Sequence, residues 1–304
     1  MSFIPLTVIG GFLGAGKTTL VNHLLRAATR RYGVLVNDFG AIAIDAGLIA
    51  SRDGDTIALT NGCVCCGMSG DLGSGLARLA ARKPGVEHVI VEASGVSDPW
   101  RVAELALVEP GFGLEPMVVV ADASAVVGHL RDRWVADTVR GQLMAAEVVV
   151  LNKTDLAHSL EAARAAIRTI RLEARLIETH HGVIPHDLLR FSVSPRSRFR
   201  ADAVPAHEFP TRHFVPPGPF DRDRLRALLS ALPASVLRVK GFCSLDPAAA
   251  PHVLQFASGQ WVLSPTDARE PGLVVIGTPT MPDSNELRAL FHEALTGAPQ
   301  RPPP

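Results

Sequence analysis

Two short stretches of this sequence carry residues whose types and spacing can do chemistry. Gly11-Phe12-Leu13-Gly14-Ala15-Gly16-Lys17-Thr18 fits G-x-x-x-x-G-K-[ST] and stands between a strand pattern and a helix pattern. There the glycines let backbone N–H groups close around phosphates, with the helix N-terminus adding partial positive charge. Lys17 reaches the β- and γ-phosphates, and the Thr18 hydroxyl ligates Mg²⁺. Gly11, Gly14, Ala15, Gly16, Lys17, Thr18 and Thr19 are therefore assigned to a nucleotide; the alternative, a glycine-rich turn that merely joins strand to helix, does not explain a lysine and a hydroxyl in register. The second stretch, Asn61-Gly62-Cys63-Val64-Cys65-Cys66-Gly67, clusters three thiols. Adjacent Cys65 and Cys66 make a strained disulfide, and C-x-C-C is not the C-x-x-C of thioredoxin-like sites. Metal ligation is favoured, because three thiolates leave one coordination position open and soft sulfur suits Zn²⁺, Cu⁺ or Co²⁺. Inert buried cysteines and a thiol redox sensor stand as alternatives. Cys243, alone in an alternating strand, reads as core.

Three further segments bear on the nucleotide. Asn152-Lys153-Thr154-Asp155 is an N-K-x-D run at the end of an apolar strand. A carboxylate at Asp155 only accepts hydrogen bonds, so it suits the N1–H and exocyclic amine of guanine and meets a lone pair at N1 of adenine. GTP is expected over ATP, although Asp155 as a solvated helix cap is a competing reading. Glu92-Ala93-Ser94-Gly95 follows another buried strand, where nucleotide hydrolases place an acidic residue and then a γ-phosphate-sensing glycine. Glu92 is expected to hold Mg²⁺ through water or to orient the attacking water, against the alternative of a strand-end carboxylate in solvent. Asn37-Asp38-Phe39-Gly40 supplies a carboxylate in a loop that reads as switch I, or else as an Asx turn. The assigned catalytic set is Lys17, Asp38 and Glu92, and the Mg²⁺ set is Thr18, Asp38 and Glu92.

These groups must be positioned by a mostly parallel sheet covered by helices, since short β-branched runs alternate with helix-period stretches up to about residue 180. Strands are expected at 6–9, 34–37, 88–92, 117–121, 148–151 and 175–177, and helices at 17–29, 71–82, 134–146 and 160–172. The fold class is α/β: a P-loop NTPase domain over 1–195, a Ser/Pro/Arg-rich linker at 196–210, a smaller α+β domain over 211–298 and a disordered tail at 299–304. In the second domain helices flank an antiparallel meander. The 304 residues carry 30 basic and 30 acidic side chains, so no net field draws in nucleic acid or an anionic membrane. No apolar run is long enough to span a bilayer, and the expectation is a cytoplasmic protein. Four of the basic residues are lysines, and two of them, Lys17 and Lys153, occupy lysine positions of nucleotide-binding motifs.

Taken in order, these segments resemble the CobW family of metal-handling P-loop GTPases, relatives of the accessory GTPases of urease and hydrogenase maturation. The resemblance rests on G-G-F-L-G-A-G-K-T-T-L, V-N-D-F-G with Asp45 beyond it, N-G-C-V-C-C, V-E-A-S-G-V-S-D-P, N-K-T-D-L and L-R-V-K-G-F in the second domain. It implies a GTPase that binds a transition metal at Cys63, Cys65 and Cys66 and couples nucleotide state to delivery into a client metalloprotein or cofactor pathway. The sequence departs from the family's pattern where Asp38 replaces a Glu, and where Ala41 and Ala58 stand at positions commonly acidic. A histidine-rich stretch before the second domain is reduced to His207 and His213, with His180, His181 and His186 upstream, and none of these is assigned as a ligand.

The cysteine loop lies between the two segments that feel the γ-phosphate, so metal affinity is expected to depend on nucleotide, and the reverse by linkage. A GTPase without an identifiable arginine finger is slow, and acceleration by a client or by homodimerisation is expected. The leading reading is a slow GTPase delivering Zn²⁺ or Co²⁺, with GTP/GDP and Mg²⁺ as cofactors. The alternatives are a redox-sensing GTPase switch without metal transfer and a small-molecule kinase using the same P-loop.

Overall fold

The computed structural model describes residues 3–28, 30–37, 56–59, 69–82, 85–185, 209–245, 251–266 and 271–297. Asp38, Asp45, Cys63, Cys65, Cys66, His186 and His207 lie outside the described residues. The chain divides into two units, Met1–His207 and Glu208–Pro304.

In the first unit the strands are β1 (Ile4–Gly10), β2 (Tyr32–Asn37), β3 (Thr56–Leu59), β4 (His88–Glu92), β5 (Phe112–Leu114), β6 (Val118–Asp122), β7 (Val148–Asn152) and β8 (Arg175–Glu178). They form one sheet in the order β3-β2-β4-β1-β6-β7-β8, with β5 also paired to β1, and every pairing is parallel. Parallel strands covered on both faces need apolar residues at every position, and His88–Glu92, Val118–Asp122 and Val148–Asn152 are buried throughout. The two faces sort by pleat. Leu6, Val8, Val89 and Val91 pack on α2 (Ser69–Ala80) and α3 (Pro99–Val108) through Leu72, Leu76, Leu79, Val102 and Ala106. Ile9, Ile90, Val118, Val120, Val148 and Val150 turn the other way, onto Leu20, Val21 and Leu24 of α1 (Lys17–Arg26). The other helices among the described residues of this unit are α4 (Val126–His129), α5 (Ala136–Ala145) and α6 (Leu160–Ile170).

The α/β reading and its six strands hold, but β3, β5, α3 and α4 go beyond the sequence reading. Thr56–Leu59 and Phe112–Leu114 are too short to show a period and exist because they pair with neighbours already in register. The α3 helix had a start signal in Asp98-Pro99: the Asp98 carboxylate accepts the Trp100 N–H at 2.9 Å with proline at N1. The helix expected from 134 begins at Ala136, because the Asp132 carboxylate takes the N–H groups of Trp134 and Val135 into a turn of its own.

The second unit has one antiparallel sheet in the order β12-β11-β10-β13-β9, from β9 (Thr211–Phe214), β10 (Val236–Cys243), β11 (His252–Ala257), β12 (Gln260–Pro265) and β13 (Gly272–Gly277). Helices α7 (Arg222–Ala231) and α8 (Ser284–Glu293) cover one face around Phe220, Leu229, Leu287 and Phe291. Only β10 to β12 form a meander; β13 returns to pair with β10. Gly272–Gly277 is buried at every position and so needs a neighbour on each side, whereas Gln260–Pro265 has no buried residue and stays at the edge. Cys243 is core, 1% exposed, and burial pushes its thiol up to about 12.

Candidate functional site

Because the strands of the first sheet run parallel, their carboxyl ends share one edge, and the loops that leave that edge carry the candidate residues. The loop between β1 and α1 closes by backbone geometry. Gly11, Gly14 and Gly16 have φ of 135°, 77° and 105°, which side-chain-bearing residues rarely adopt. A Cβ on Gly11 would lie 2.2 Å from the Val120 carbonyl oxygen, so that position admits only glycine. Gly16 caps α1 without a side chain, and the first turn holds no acidic residue, which leaves the helix N-terminus open to an anion. Lys17 is 6% exposed and folds back over the loop, its ammonium donating to the Gly11 carbonyl at 2.8 Å and the Phe12 carbonyl at 3.3 Å.

Thr18, on the first turn of α1, donates its hydroxyl to Glu92 Oε1 at 2.8 Å. Glu92 ends β4 and is 3% exposed, so it is not a carboxylate in solvent. A hydroxyl and a carboxylate held together at a phosphate loop are the hard oxygen donors that a Mg²⁺ ion takes. Beyond Glu92, Gly95 packs onto the phosphate loop so tightly that a Cβ there would meet Leu13 Cδ2 at 2.5 Å.

Asn152 joins three segments. Its Nδ2 donates to the Ala15 carbonyl at 2.9 Å, and its Oδ1 accepts the Gly182 N–H at 3.0 Å. Lys153, at φ 59°, swings its ammonium onto the Asp122 carboxylate at 2.6 Å; Asp122, 4% exposed, also accepts the Ser124 hydroxyl at 2.6 Å. Asp155 is exposed on a 3₁₀ turn, Thr154–Leu156. The helix-cap reading of Asp155 fails, because the next helix is capped by Ser159, whose hydroxyl accepts the Ala162 N–H. Thr19 is exposed beside Thr18 on α1.

Sequence reasoning missed the segment 179–184 and two side chains. Thr179 accepts Thr154 N–H through its carbonyl at 3.2 Å, Ile184 takes the His23 ring nitrogen at 2.9 Å, and Gly182, at φ 67°, leaves no room for a Cβ beside the Leu20 amide. A glycine just past a strand end is the one hint that was available. Asp122 and Gln142 carried no motif. His129 sits edge-on to Phe12 at 4.9 Å between centroids; burial holds its pKa below the usual imidazole range, with Asp122 and Asp132 opposing and Lys153 assisting. His180 and His181 are exposed on the 179–184 segment, and His213 is exposed on β9. Among the described residues no group of His, Cys, Asp and Glu is placed to hold a metal ion.

A profile of the CobW/HypB/UreG nucleotide-binding domain matches residues 5–178, and one of the cobalamin synthesis protein cobW C-terminal domain matches residues 209–295. The chain is 32% identical over 219 residues to a protein of Sinorhizobium sp named zinc chaperone CobW, covering 61% of this chain and 62% of that one. It is 28% identical over 319 residues to zinc-regulated GTPase metalloprotein activator 1 of Dictyostelium discoideum, covering 86% and 66%. Against zinc chaperone YjiA of Escherichia coli it is 29% identical over 222 residues, covering 66% and 69%. The chain thus spans about two thirds of the length of the curated relatives it matches.

Proposed function

The chain belongs to the CobW/HypB/UreG family of nucleotide-binding proteins, and from that premise we propose that it is a GTP-binding and GTP-hydrolysing metallochaperone. It takes Zn²⁺ or Co²⁺ at Cys63, Cys65 and Cys66 and releases it to a client protein or cofactor pathway according to nucleotide state. One observation carries the reading: Thr18 and Glu92, 74 residues apart, meet at 2.8 Å at the open end of a glycine-formed phosphate loop. Zinc as the cargo is supported by the names of the relatives.

In this reading the amides of residues 11–16 and the N-terminus of α1 bind the phosphates, and Lys17 leaves its two carbonyls to reach the β- and γ-phosphates. Thr18 and Glu92, with Asp38, would hold Mg²⁺, which when bound would supply neutralisation of the charge on the phosphate oxygens. Glu92 or Asp38 orients the attacking water, and the Gly95 amide reads the γ-phosphate. Asp155 accepts the donors of guanine while Asn152 ties its loop to the phosphate loop and to Gly182. The strand β3 ends at Leu59 on the same edge as Gly10 and lies three strand spacings from β1, about 14 Å. The segment bearing the cysteines leaves from that point, which supports communication between thiolates and γ-phosphate.

The test is a competitive Zn²⁺ titration under anaerobic conditions with GDP and with a non-hydrolysable GTP analogue, alongside GTP hydrolysis. The expected result is Zn²⁺ affinity that differs by about tenfold between the two states, a usual size for a coupling between sites, and is lost in Cys65→Ser. Equal Zn²⁺ affinity in both states refutes delivery driven by nucleotide.

A further inference from the structure

The turn after β4 is held from behind by a side chain that belongs to no motif. Gln142 lies on the buried face of α5 with Val139 and Leu143 and is 2% exposed. Its Nε2 donates to the Gly95 carbonyl at 3.2 Å and to the Ser97 carbonyl at 3.1 Å. Both partners are acceptors, so only one orientation of the amide satisfies them. A buried amide is costly unless bonded, and a leucine would fill that space without the cost; the two bonds account for the glutamine.

These bonds set the geometry of the residue that reads the γ-phosphate. The Ser94 carbonyl accepts both the Ser97 N–H at 3.1 Å and the Ser97 hydroxyl at 2.9 Å, which fixes the Ser94–Gly95 peptide plane. In a planar trans peptide the N–H lies opposite the C=O, so the Gly95 N–H is turned away from Ser97. Gln142 pins the next carbonyls on either side of Val96, and Leu13 of the phosphate loop blocks any Cβ on Gly95. The Ser94 hydroxyl, 4% exposed, has no hydrogen-bond partner among the described residues, so the turn also holds a buried donor in reserve for a ligand.

We propose that Gln142 is a positioning residue for γ-phosphate recognition: it clamps the turn at residues 94–97 so that the chain distinguishes GTP from GDP. The proposal rests on the reading above that Gly95 senses the γ-phosphate. A group that reads only the third phosphate contributes nothing to GDP, so its loss is visible as a ratio of affinities and not as a general weakening.

The experiment measures affinity for GDP and for a non-hydrolysable GTP analogue in the full chain and in Gln142→Met, which keeps length and loses both donors. Ser97→Ala, which removes one hydroxyl bond from the same turn with little change in volume, guards against a core variant that does not fold. The expected result in either folded variant is GDP affinity within about twofold of wild type and a GTP-analogue affinity lowered about tenfold, the worth of roughly one net hydrogen bond. An unchanged ratio, or equal loss of both nucleotides, overturns the clamp and leaves Gln142 a packing residue. If the wild-type chain itself binds neither nucleotide, the GTPase reading falls, and the clamp with it.

Discussion

Replacing Asn152 by alanine removes a single side chain and breaks two long-range bonds, those to the Ala15 carbonyl and the Gly182 N–H, in a residue that is 2% exposed. A buried donor or acceptor left without its partner costs about 1–3 kcal/mol. Ala15 and Gly182 are both buried, so each orphaned group carries that cost, and the sum is at least about 2 kcal/mol. The loss should appear twice. Urea unfolding without nucleotide should show a lower midpoint with unchanged slope, and GDP affinity, followed with a fluorescent analogue, should fall by more than about tenfold because the phosphate and base loops no longer share an anchor. Asn152→Asp separates the two bonds: it keeps the acceptor for Gly182 and turns a second acceptor toward the Ala15 carbonyl, so its defect in binding should match or exceed that of alanine. If Asn152→Ala stays within about 0.5 kcal/mol of wild type, the range of an inert surface change, and binds GDP normally, then Asn152 does not join the loops.

Glu92→Gln should keep the fold and the bond from Thr18, since an amide oxygen also accepts, yet lower Mg²⁺-dependent GTP hydrolysis at least about a hundredfold, the usual scale for a positioned acid–base or charge-stabilising group; near-normal turnover would remove Glu92 from the mechanism. Gly11→Ala would force a Cβ to 2.2 Å from the Val120 carbonyl at φ 135°, so thermal unfolding should show a loss of about 1–3 kcal/mol or failure to fold. His88, 1% exposed, bonds Thr7 Oγ1 at 2.9 Å, and burial with Arg30 nearby lowers its pKa to about 4. Its unfolded form takes up a proton first as the pH drops, so stability is full above the ordinary histidine pKa and declines below it, by about 2 kcal/mol between pH 7 and 5; denaturation curves at the two values test this, and His88→Gln should flatten the slope. Cys243, buried with its thiol raised to about 12, should resist alkylation in the native chain and react only in denaturant, as peptide mapping would show.

Chemistry that resides in contiguous backbone was legible before any fold was known. The phosphate loop needs glycines, a lysine and a hydroxyl at set spacing because one turn of chain wraps the phosphates, and Gly11, Gly14 and Gly16 take the positive φ values that spacing implies. The buried strands were legible for a similar reason: a run apolar on both faces, such as residues 148–151, has few other places to go. What tertiary structure alone decided are the joins between segments. That Thr18 meets Glu92, that Asn152 reaches Ala15 and Gly182, that Lys153 pairs with Asp122 and that Gln142 holds Gly95 and Ser97 all depend on strand order and helix packing, which place residues 30 to 137 positions apart within hydrogen-bond reach. Local sequence sets the preferences of a loop, but a hydrogen bond between two loops exists only once the sheet has brought their ends together.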